Sequence, residues 1–366
     1  MRQCEKPKIL FMLPTLGAGG AERILITLMN NLDREKFNIA FLSLSESGPI
    51  KEWIAPDIPY NTFVDKRIKN SLFPLITFIK EHKPDVIFTT MVHSNALALM
   101  IKLLFPKIKV IVREAALPSV LISRYGFKGR LCILVYKLLY RRADLVISNC
   151  SQMVDDFKKH IKISTKNHRI LFNPVDTTRV FASIPETFEN PPDRDKTLHF
   201  VAVGRLSFEK GYDRLIKALK GFKPDSNWRL DLIGEGDYRG QLESLVAENN
   251  LEDHVFLLGY ESNPWKLAAR ADCLLLPSRW EGMPNVVLEG FSCGLPAIAM
   301  REAGGIMDIK NYCNDDELKI VDTIEDFVQE MAKIQITPKS SKAESFLPDE
   351  FLLPHIMQEF EEILVK

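Results

Sequence analysis

Several features are missing from this sequence, and each absence removes a class of protein. Its six cysteines (Cys4, Cys132, Cys150, Cys273, Cys293 and Cys313) stand far apart, with no CxxC pair and no histidine at ligand spacing. A disulfide scaffold and a zinc module are thereby excluded, and buried free thiols in a reducing compartment are expected. Long hydrophobic runs are missing too: the most apolar stretch beyond the first residues, Leu131 to Tyr140, is about ten residues and contains Lys137, well short of the ~20 that span a bilayer. The opening MRQCEKPKILFMLP breaks at Pro14 and leads into glycines rather than a cleavage site, so no signal peptide is expected. These absences together point to the cytoplasm.

Net charge is also absent, since 48 Lys and Arg balance 48 Asp and Glu. The balance hides an asymmetry: residues 1–180 carry 28 basic against 15 acidic side chains, and residues 181–366 carry 20 against 33. The basic half favours an anionic partner or membrane surface, unless the two halves simply attract one another. A chain of 366 residues, 46% hydrophobic and 26% charged, is long enough for two globular domains and too apolar for disorder.

Short apolar runs alternate with helical patterns: KILFMLP, AERILITLMNNL, FNIAFLSL, then PDVIFTTM, KVIVRE and ADLVISN. Strands that are nearly all apolar and separated by helices are buried on both faces, which predicts a parallel sheet. A polar, Pro-rich stretch, SIPETFENPPDRDK, reads as a linker, after which the alternation restarts with LHFVAVGRL, WRLDLIGEG, VFLLGY, DCLLLPS and LPAIAM. The expected fold class is α/β: two Rossmann-like domains facing across a cleft, over residues 1–176 and 197–348, with a linker at 177–196 and a C-terminal helix at 349–366. In that helix Ile356, Phe360, Ile363 and Leu364 share one face, so it should dock on a domain surface.

Three motifs carry chemistry. The first strand-to-helix turn, Gly17-Ala18-Gly19-Gly20-Ala21-Glu22-Arg23, lets backbone approach an anion, but Glu22 stands where a dinucleotide fingerprint needs its third glycine. That argues against a nicotinamide oxidoreductase. Beyond the strand ending at Gly204, Arg205 and Lys210 supply the cation pair that a departing diphosphate needs. In Ser278-Arg279-Trp280-Glu281-Gly282-Met283-Pro284-Asn285-Val286-Val287-Leu288-Glu289, Pro284 is placed in a first helical turn, which would free the amides around Gly282, Met283 and Asn285. Glu281 and Glu289, on the order of 10 Å apart at ~1.5 Å per helical residue, suit two ends of one ligand that presents paired hydroxyls.

These motifs, with FNPVD at 172–176, IGEGDYRGQLESL at 233–245 and GLPAIAMREAGGI at 294–306, resemble the retaining family 4 glycosyltransferases of the GT-B fold, in order and over essentially the whole chain. The resemblance implies transfer of a hexosyl group from a nucleotide sugar, UDP-linked by analogy, to a glycan or lipid-linked acceptor with retention of anomeric configuration and without a divalent metal or other cofactor. It assigns Arg205 and Lys210 to the donor diphosphate, Glu289 to the ribose, and Glu281 with the amides after Gly282 to the transferred sugar. Gly19 and Gly20 would close on the phosphates, while Gly234, Glu235 and Tyr260 would border the base. The sequence departs from the family at the loop Arg113-Glu114-Ala115-Ala116-Leu117-Pro118, where many relatives carry a histidine. Glu114 is then a candidate to orient the acceptor or act as its base, and His93 in TTMVHSN competes with it.

The acceptor side falls on residues 120–142, where Arg124, Lys128, Arg130, Lys137, Arg141 and Arg142 interleave with apolar residues as in an interfacial helix. The expectation is an enzyme of surface polysaccharide, lipopolysaccharide or capsule assembly, peripheral on the inner face of the cell membrane, with no nucleic-acid partner. A sugar-nucleotide epimerase of the same fold and a non-catalytic nucleotide-sugar-binding protein remain as alternatives. The Asp193-Arg194-Asp195 pair lies in the Pro-rich linker and reads as solvated rather than metal-binding.

Overall fold

The computed structural model describes residues 6–17, 19–45, 48–63, 70–115, 117–162, 167–181, 184, 196–337 and 343–365. The chain divides into two compact units, one formed by Met1–Pro174 with Pro354–Lys366 and the other by Val175–Leu353.

The first unit contains seven strands: β1 (Lys8–Leu13), β2 (Asn38–Ser43), β3 (Tyr60–Thr62), β4 (Val86–Thr90), β5 (Lys109–Arg113), β6 (Leu145–Ser148) and β7 (His168–Ile170). They form one sheet in the order β3-β2-β1-β4-β5-β6-β7, every pairing parallel. Helices α1 (Gly20–Asn30), α2 (Leu72–His82), α3 (Val92–Leu104), α4 (Pro118–Leu139) and α5 (Ser151–His160) connect the strands. The second unit starts with α6 (Thr177–Phe181) and forms a six-stranded sheet from β8 (Thr197–Val203), β9 (Asn227–Ile233), β10 (Val255–Gly259), β11 (Cys273–Leu276), β12 (Ala297–Met300) and β13 (Leu318–Val321). Its order is β10-β9-β8-β11-β12-β13, again all parallel. Its helices are α7 (Tyr212–Ala218), α8 (Arg239–Glu248), α9 (Trp265–Ala268), α10 (Asn285–Ser292), α11 (Ile306–Lys310) and α12 (Ile324–Lys333).

The expected strands are all present, and the two-domain Rossmann-like architecture stands. Sequence reading missed β3, β7 and β13, each of three or four residues broken by polar side chains (YNT, HRI, LKIV) and so without a continuous apolar run. The expected linker at 177–196 begins with helix α6; residues 182–183 and 185–195, with Asp193 and Asp195, lie outside the described residues.

The last helix, α13 (Leu353–Val365), belongs to the first unit rather than standing as a separate element. Its Phe360 is fully buried against Phe11 of β1 and Phe88 of β4, with ring centroids 6.2 and 4.9 Å away, and Phe11 and Phe88 lie 5.4 Å apart. Lys109 donates to the carbonyl of Ile363 at 2.9 Å, setting a cation at the negative end of the helix. Within the second unit, Val175 donates its amide to the Phe351 carbonyl at 2.9 Å, pairing the first and last segments of that unit.

Replacing a fully buried phenylalanine by alanine removes transfer energy and leaves a cavity, so Phe360→Ala should destabilise the first unit by about 3–5 kcal/mol, read as a shift in its urea midpoint.

Candidate functional site

Both sheets reverse their winding direction between two central strands, β1 and β4 in the first unit and β8 and β11 in the second. Loops leaving the carboxyl ends of such a pair diverge, which opens a crevice for a ligand. In the second unit these are the loops carrying Arg205 and Lys210, after β8, and Glu281, after β11.

The two loops are tied together by charge-assisted bonds. Lys210 Nζ donates to Glu281 Oε1 at 2.6 Å, and the Ser278 hydroxyl donates to the same oxygen at 2.7 Å. Glu281 Oε2 therefore has no hydrogen-bond partner among the described residues and is open to a ligand hydroxyl. Arg279 grips Asp213 with two parallel bonds of 2.7 and 2.8 Å, donates to the Phe208 carbonyl at 2.6 Å and stacks 4.0 Å over the Phe208 ring. Arg214 donates to the carbonyls of Pro277 and Ser278 and pairs with Glu302. Arg205 is exposed, and its guanidinium meets no acceptor among the described residues.

Close backbone packing explains two glycines. A Cβ on Gly234 would lie 1.9 Å from the Gly204 carbonyl, and one on Gly304 would lie 2.3 Å from the carbonyl of Glu281. Gly234 thus lets the loops after β8 and β9 touch, and Gly304, with φ 66°, lets the GLPAIAMREAGGI segment close on the loop of Glu281; Gly305 then donates to Gly282 at 2.7 Å. Tyr260, 63% exposed, follows Gly259, whose carbonyl accepts the Gly234 amide at 2.8 Å, so Gly234, Glu235 and Tyr260 come together at one strand-end corner. Glu235 is drawn into a pair with Arg239 at 2.6 Å.

At the start of α10 the structure differs from expectation. The helix begins at Asn285, with Pro284 as its N-cap at φ −78° and ψ 79°, and the Asn285 amide already donates to the Met283 carbonyl at 2.9 Å. The ψ of Pro284 folds the preceding turn onto itself, so of the three amides expected to be free, those of Gly282 and Met283 lack a backbone acceptor among the described residues and that of Asn285 does not. Farther along α10, Glu289 accepts from the Trp265 indole at 3.1 Å, so the two glutamates are held by different partners. Asp213, Arg214, Ser278 and Trp265 were not legible as site residues. Asp213 and Arg279 are 66 positions apart, and no local pattern links them.

In the first unit, Gly19 caps α1 and Gly20 opens it. A Cβ on Gly19 would lie 2.5 Å from Glu22 Oε2 and one on Gly17 3.0 Å from Glu22 Oε1. The positive end of α1, which sequence reading offered to donor phosphates through Gly19 and Gly20, thus carries the chain's own carboxylate. His93 is exposed in the first turn of α3.

Glu114 is 1% exposed, and three side chains close over it: Asn95 donates at 2.7 Å, Tyr140 donates to the same oxygen, and Tyr136 donates to the other at 3.4 Å. A carboxyl so enclosed cannot reach an acceptor, which removes it as a base that touches substrate. Burial raises its pKa to about 7, the three hydrogen bonds opposing the shift. Its neighbour Arg113 is equally buried; burial lowers its pKa to about 10, one nitrogen bonds Asn173, and Nη1 has no partner among the described residues. Because the carboxyl of Glu114 titrates higher in the fold than its ordinary 4.5, its stabilising contribution is complete below about pH 4.5 and is lost as pH rises through about 7. Between pH 5 and pH 8 the wild type should therefore lose stability relative to Glu114→Gln, by up to about 3 kcal/mol, in parallel urea titrations.

Among the described residues, no helix is long and apolar enough to cross a membrane, and no three His, Cys, Asp or Glu side chains are arranged to hold a metal ion. Residues 18–179 match the family described as Glycosyltransferase Family 4, and residues 183–343 match Glycosyl transferases group 1. A Campylobacter jejuni protein, N-acetylgalactosamine-N,N'-diacetylbacillosaminyl-diphospho-undecaprenol 4-alpha-N-acetylgalactosaminyltransferase, is 28% identical over 86% of this chain and 85% of its own length. An Escherichia coli UDP-Gal:alpha-D-GlcNAc-diphosphoundecaprenol alpha-1,3-galactosyltransferase is 25% identical over 88% of this chain and 86% of its own. Among solved structures, Anabaena HepE in complex with UDP-glucose superposes with a TM-score of 0.77 at 20% identity, over 98% of this chain and 99% of that one. The lipopolysaccharide outer core galactosyltransferase WaaB gives 0.73 at 21%, over 98% and 99%. With both halves matched in order and both sheets wound as the fold requires, the chain belongs to the family 4 glycosyltransferases of the GT-B fold and is a glycosyltransferase.

Proposed function

We propose that the enzyme moves a hexosyl group from a UDP-sugar to a hydroxyl of a lipid-linked glycan, with retention of configuration. The observation that carries the donor side is the Lys210–Glu281–Ser278 cluster at the winding reversal of the second sheet, which leaves Glu281 Oε2 open to a ligand. In the reaction the bond between the anomeric carbon and the diphosphate oxygen breaks, and its electron pair leaves with the diphosphate. The acceptor oxygen bonds to that carbon, and its proton passes to the departing diphosphate. No enzyme nucleophile takes part.

Arg205 and Lys210 neutralise the charge that accumulates on the leaving diphosphate, the task a divalent ion performs in other transferases. Glu281 Oε2 and the amides of Gly282 and Met283 hold the hydroxyls of the transferred sugar, Asn285 lies at the edge of that pocket, and Glu289 accepts from the ribose. Gly234, Glu235 and Tyr260 border the base. The UDP assignment draws on HepE, solved with UDP-glucose, and the acceptor assignment on the Campylobacter and Escherichia relatives, whose names specify diphosphoundecaprenol-linked sugars.

A lipid-linked acceptor calls for a membrane-facing surface, and α4 offers one. Phe127, Leu131, Leu134 and Leu138, spaced at helical intervals after a break at Gly126, are 83, 55, 53 and 64% exposed. Arg141 and Arg142 follow, exposed, while the side chains of Arg124, Lys128 and Arg130 lie outside the described residues. We infer peripheral attachment of this stripe to an anionic leaflet.

Thermal unfolding with UDP, GDP, ADP and NAD tests the donor class: UDP should raise Tm, Glu289→Ala should lose the shift, and Lys210→Ala or Glu281→Gln should lower kcat on the order of 10²-fold. A shift with GDP or ADP alone would reassign the nucleotide, and full turnover in both variants would remove the site. In flotation with vesicles of phosphatidylethanolamine and phosphatidylglycerol, the wild type should rise with the lipid, and a Leu131→Asp/Leu138→Asp double variant should stay at the bottom.

A further inference from the structure

Tyr212, the first residue of α7, carries a hydroxyl that its own fold does not use. The residue is 3% exposed and shares the hydrophobic core of the second unit with Ala202, Leu206 and Leu215. A tyrosine so placed normally hands its hydroxyl to a partner, because phenylalanine would fill the same space with no polar atom to desolvate. Tyr136 and Tyr140 in the first unit follow that rule, both bonding Glu114. The Tyr212 hydroxyl has no hydrogen-bond partner among the described residues; the one group acting on it is the Glu281 carboxylate, through its charge.

Its position is fixed by Gly204, which follows β8. A Cβ on Gly204 would lie 3.0 Å from the Tyr212 hydroxyl and 3.2 and 3.5 Å from Cε and Nζ of Lys210. The phenol oxygen and the ammonium therefore converge on one side of Gly204, whose missing side chain keeps the space beside both clear. Glu281 completes the group by accepting from Lys210 at 2.6 Å. Burial, and after it the Glu281 carboxylate, hold the pKa of Tyr212 well above its usual 10, so at neutral pH the phenol keeps its proton and can donate it to a hydrogen bond.

A fixed donor beside a cation at a strand end suits a ligand oxygen that carries negative charge. In the reading above Lys210 meets the donor diphosphate and Glu281 the transferred sugar. The phenol lies by both, so the oxygen within its reach belongs to the phosphate that bears the sugar rather than the one that bears the nucleoside.

We propose that Tyr212 is a further catalytic residue of the donor site, hydrogen-bonding the sugar-bearing phosphate beside Lys210. This rests on the transferase reading above and deepens it. As the bond to the anomeric carbon breaks, its electron pair stays on that phosphate, and the bond from the phenol strengthens with the growing charge. The phenol gives up no proton; the acceptor proton still leaves on the diphosphate. In the sequence Tyr212 looks like the first apolar-face residue of the helix YDRLIKALKGF, so nothing local marks its hydroxyl.

The test is isothermal titration calorimetry of wild type and Tyr212→Phe with the monophosphates and diphosphates of uridine, guanosine and adenosine. The diphosphate that the wild type binds should bind Tyr212→Phe about 10-fold more weakly, and the monophosphate of the same nucleoside should bind both proteins within about twofold. The Tm without ligand should stay the same or rise, since the variant loses a hydroxyl with no protein partner. In transfer from a panel of UDP-hexoses and UDP-N-acetylhexosamines to a synthetic polyprenyl-diphosphate-linked N-acetylhexosamine, kcat should fall about 10-fold or more. Undiminished diphosphate affinity or wild-type kcat in Tyr212→Phe overturns the proposal and leaves the donor reading standing. An equal loss for monophosphate and diphosphate overturns it too, as does a lower Tm of the free variant, which would show that the hydroxyl serves the fold. If the wild type binds none of these nucleotides, the donor reading itself fails, and the role of Tyr212 with it.

Discussion

A parallel sheet that winds outward in both directions from its centre leaves two neighbouring strands whose following loops part company. Everything chemical on this chain depends on that constraint. β1 and β4 meet this way in one unit, and β8 and β11 in the other. The loops after β8 and β11 carry Lys210 and Glu281, and those after β1 and β4 carry the glycine turn and His93. Side chains 71 residues apart come within 2.6 Å because their strands are hydrogen-bonded neighbours, not because the sequence brings them close.

The two units use this arrangement differently. In the second, opposite charges tie the parted loops together: Arg279 on Asp213, Lys210 on Glu281, Arg214 on the carbonyls of Pro277 and Ser278. Such partly buried, charge-assisted bonds are strong and directional, so they leave the remaining groups, Arg205 and Glu281 Oε2, aimed but uncommitted. In the first unit the polar groups are sealed inside. Glu114 and Arg113 are both 1% exposed, one enclosed by tyrosines and an asparagine and the other bonded to Asn173. Through Asn95 that interior is bonded to the turn between β4 and α3.

The sequence showed most of the fold and the loops that carry the candidate site. Apolar runs such as KILFML and CLLL announced buried parallel strands, because a strand covered on both faces has few polar positions. Strands β3, β7 and β13 gave no such signal, since their three or four residues are broken by polar side chains, whereas the edge strand β10 (VFLLG) kept a continuous apolar run. Arg205, Lys210 and Glu281 stood out because charged residues beside glycines at strand ends have few structural uses, and Glu289 because it follows Glu281 at a fixed spacing along α10. The role of Glu114 was misread as substrate-facing, since burial by Tyr136 and Tyr140 depends on the path of α4 and has no local signature. The amide of Asn285 was misjudged for a similar reason: the ψ of Pro284 set its partner.

By itself, then, the sequence determined the alternation of strands and helices, the family, and which charged residues lie at strand ends, all of which follow from patterns within a few residues. Tertiary structure alone decided that the C-terminal helix returns to the first unit, where Phe360 closes the space between Phe11 and Phe88. It also decided that Glu22 fills the helix end once expected to bind phosphate, and that Glu114 lies within the core while His93 lies outside it. These outcomes depend on contacts between segments far apart in sequence, and burial, which sets the charge state and reach of a side chain, exists only once those segments have packed.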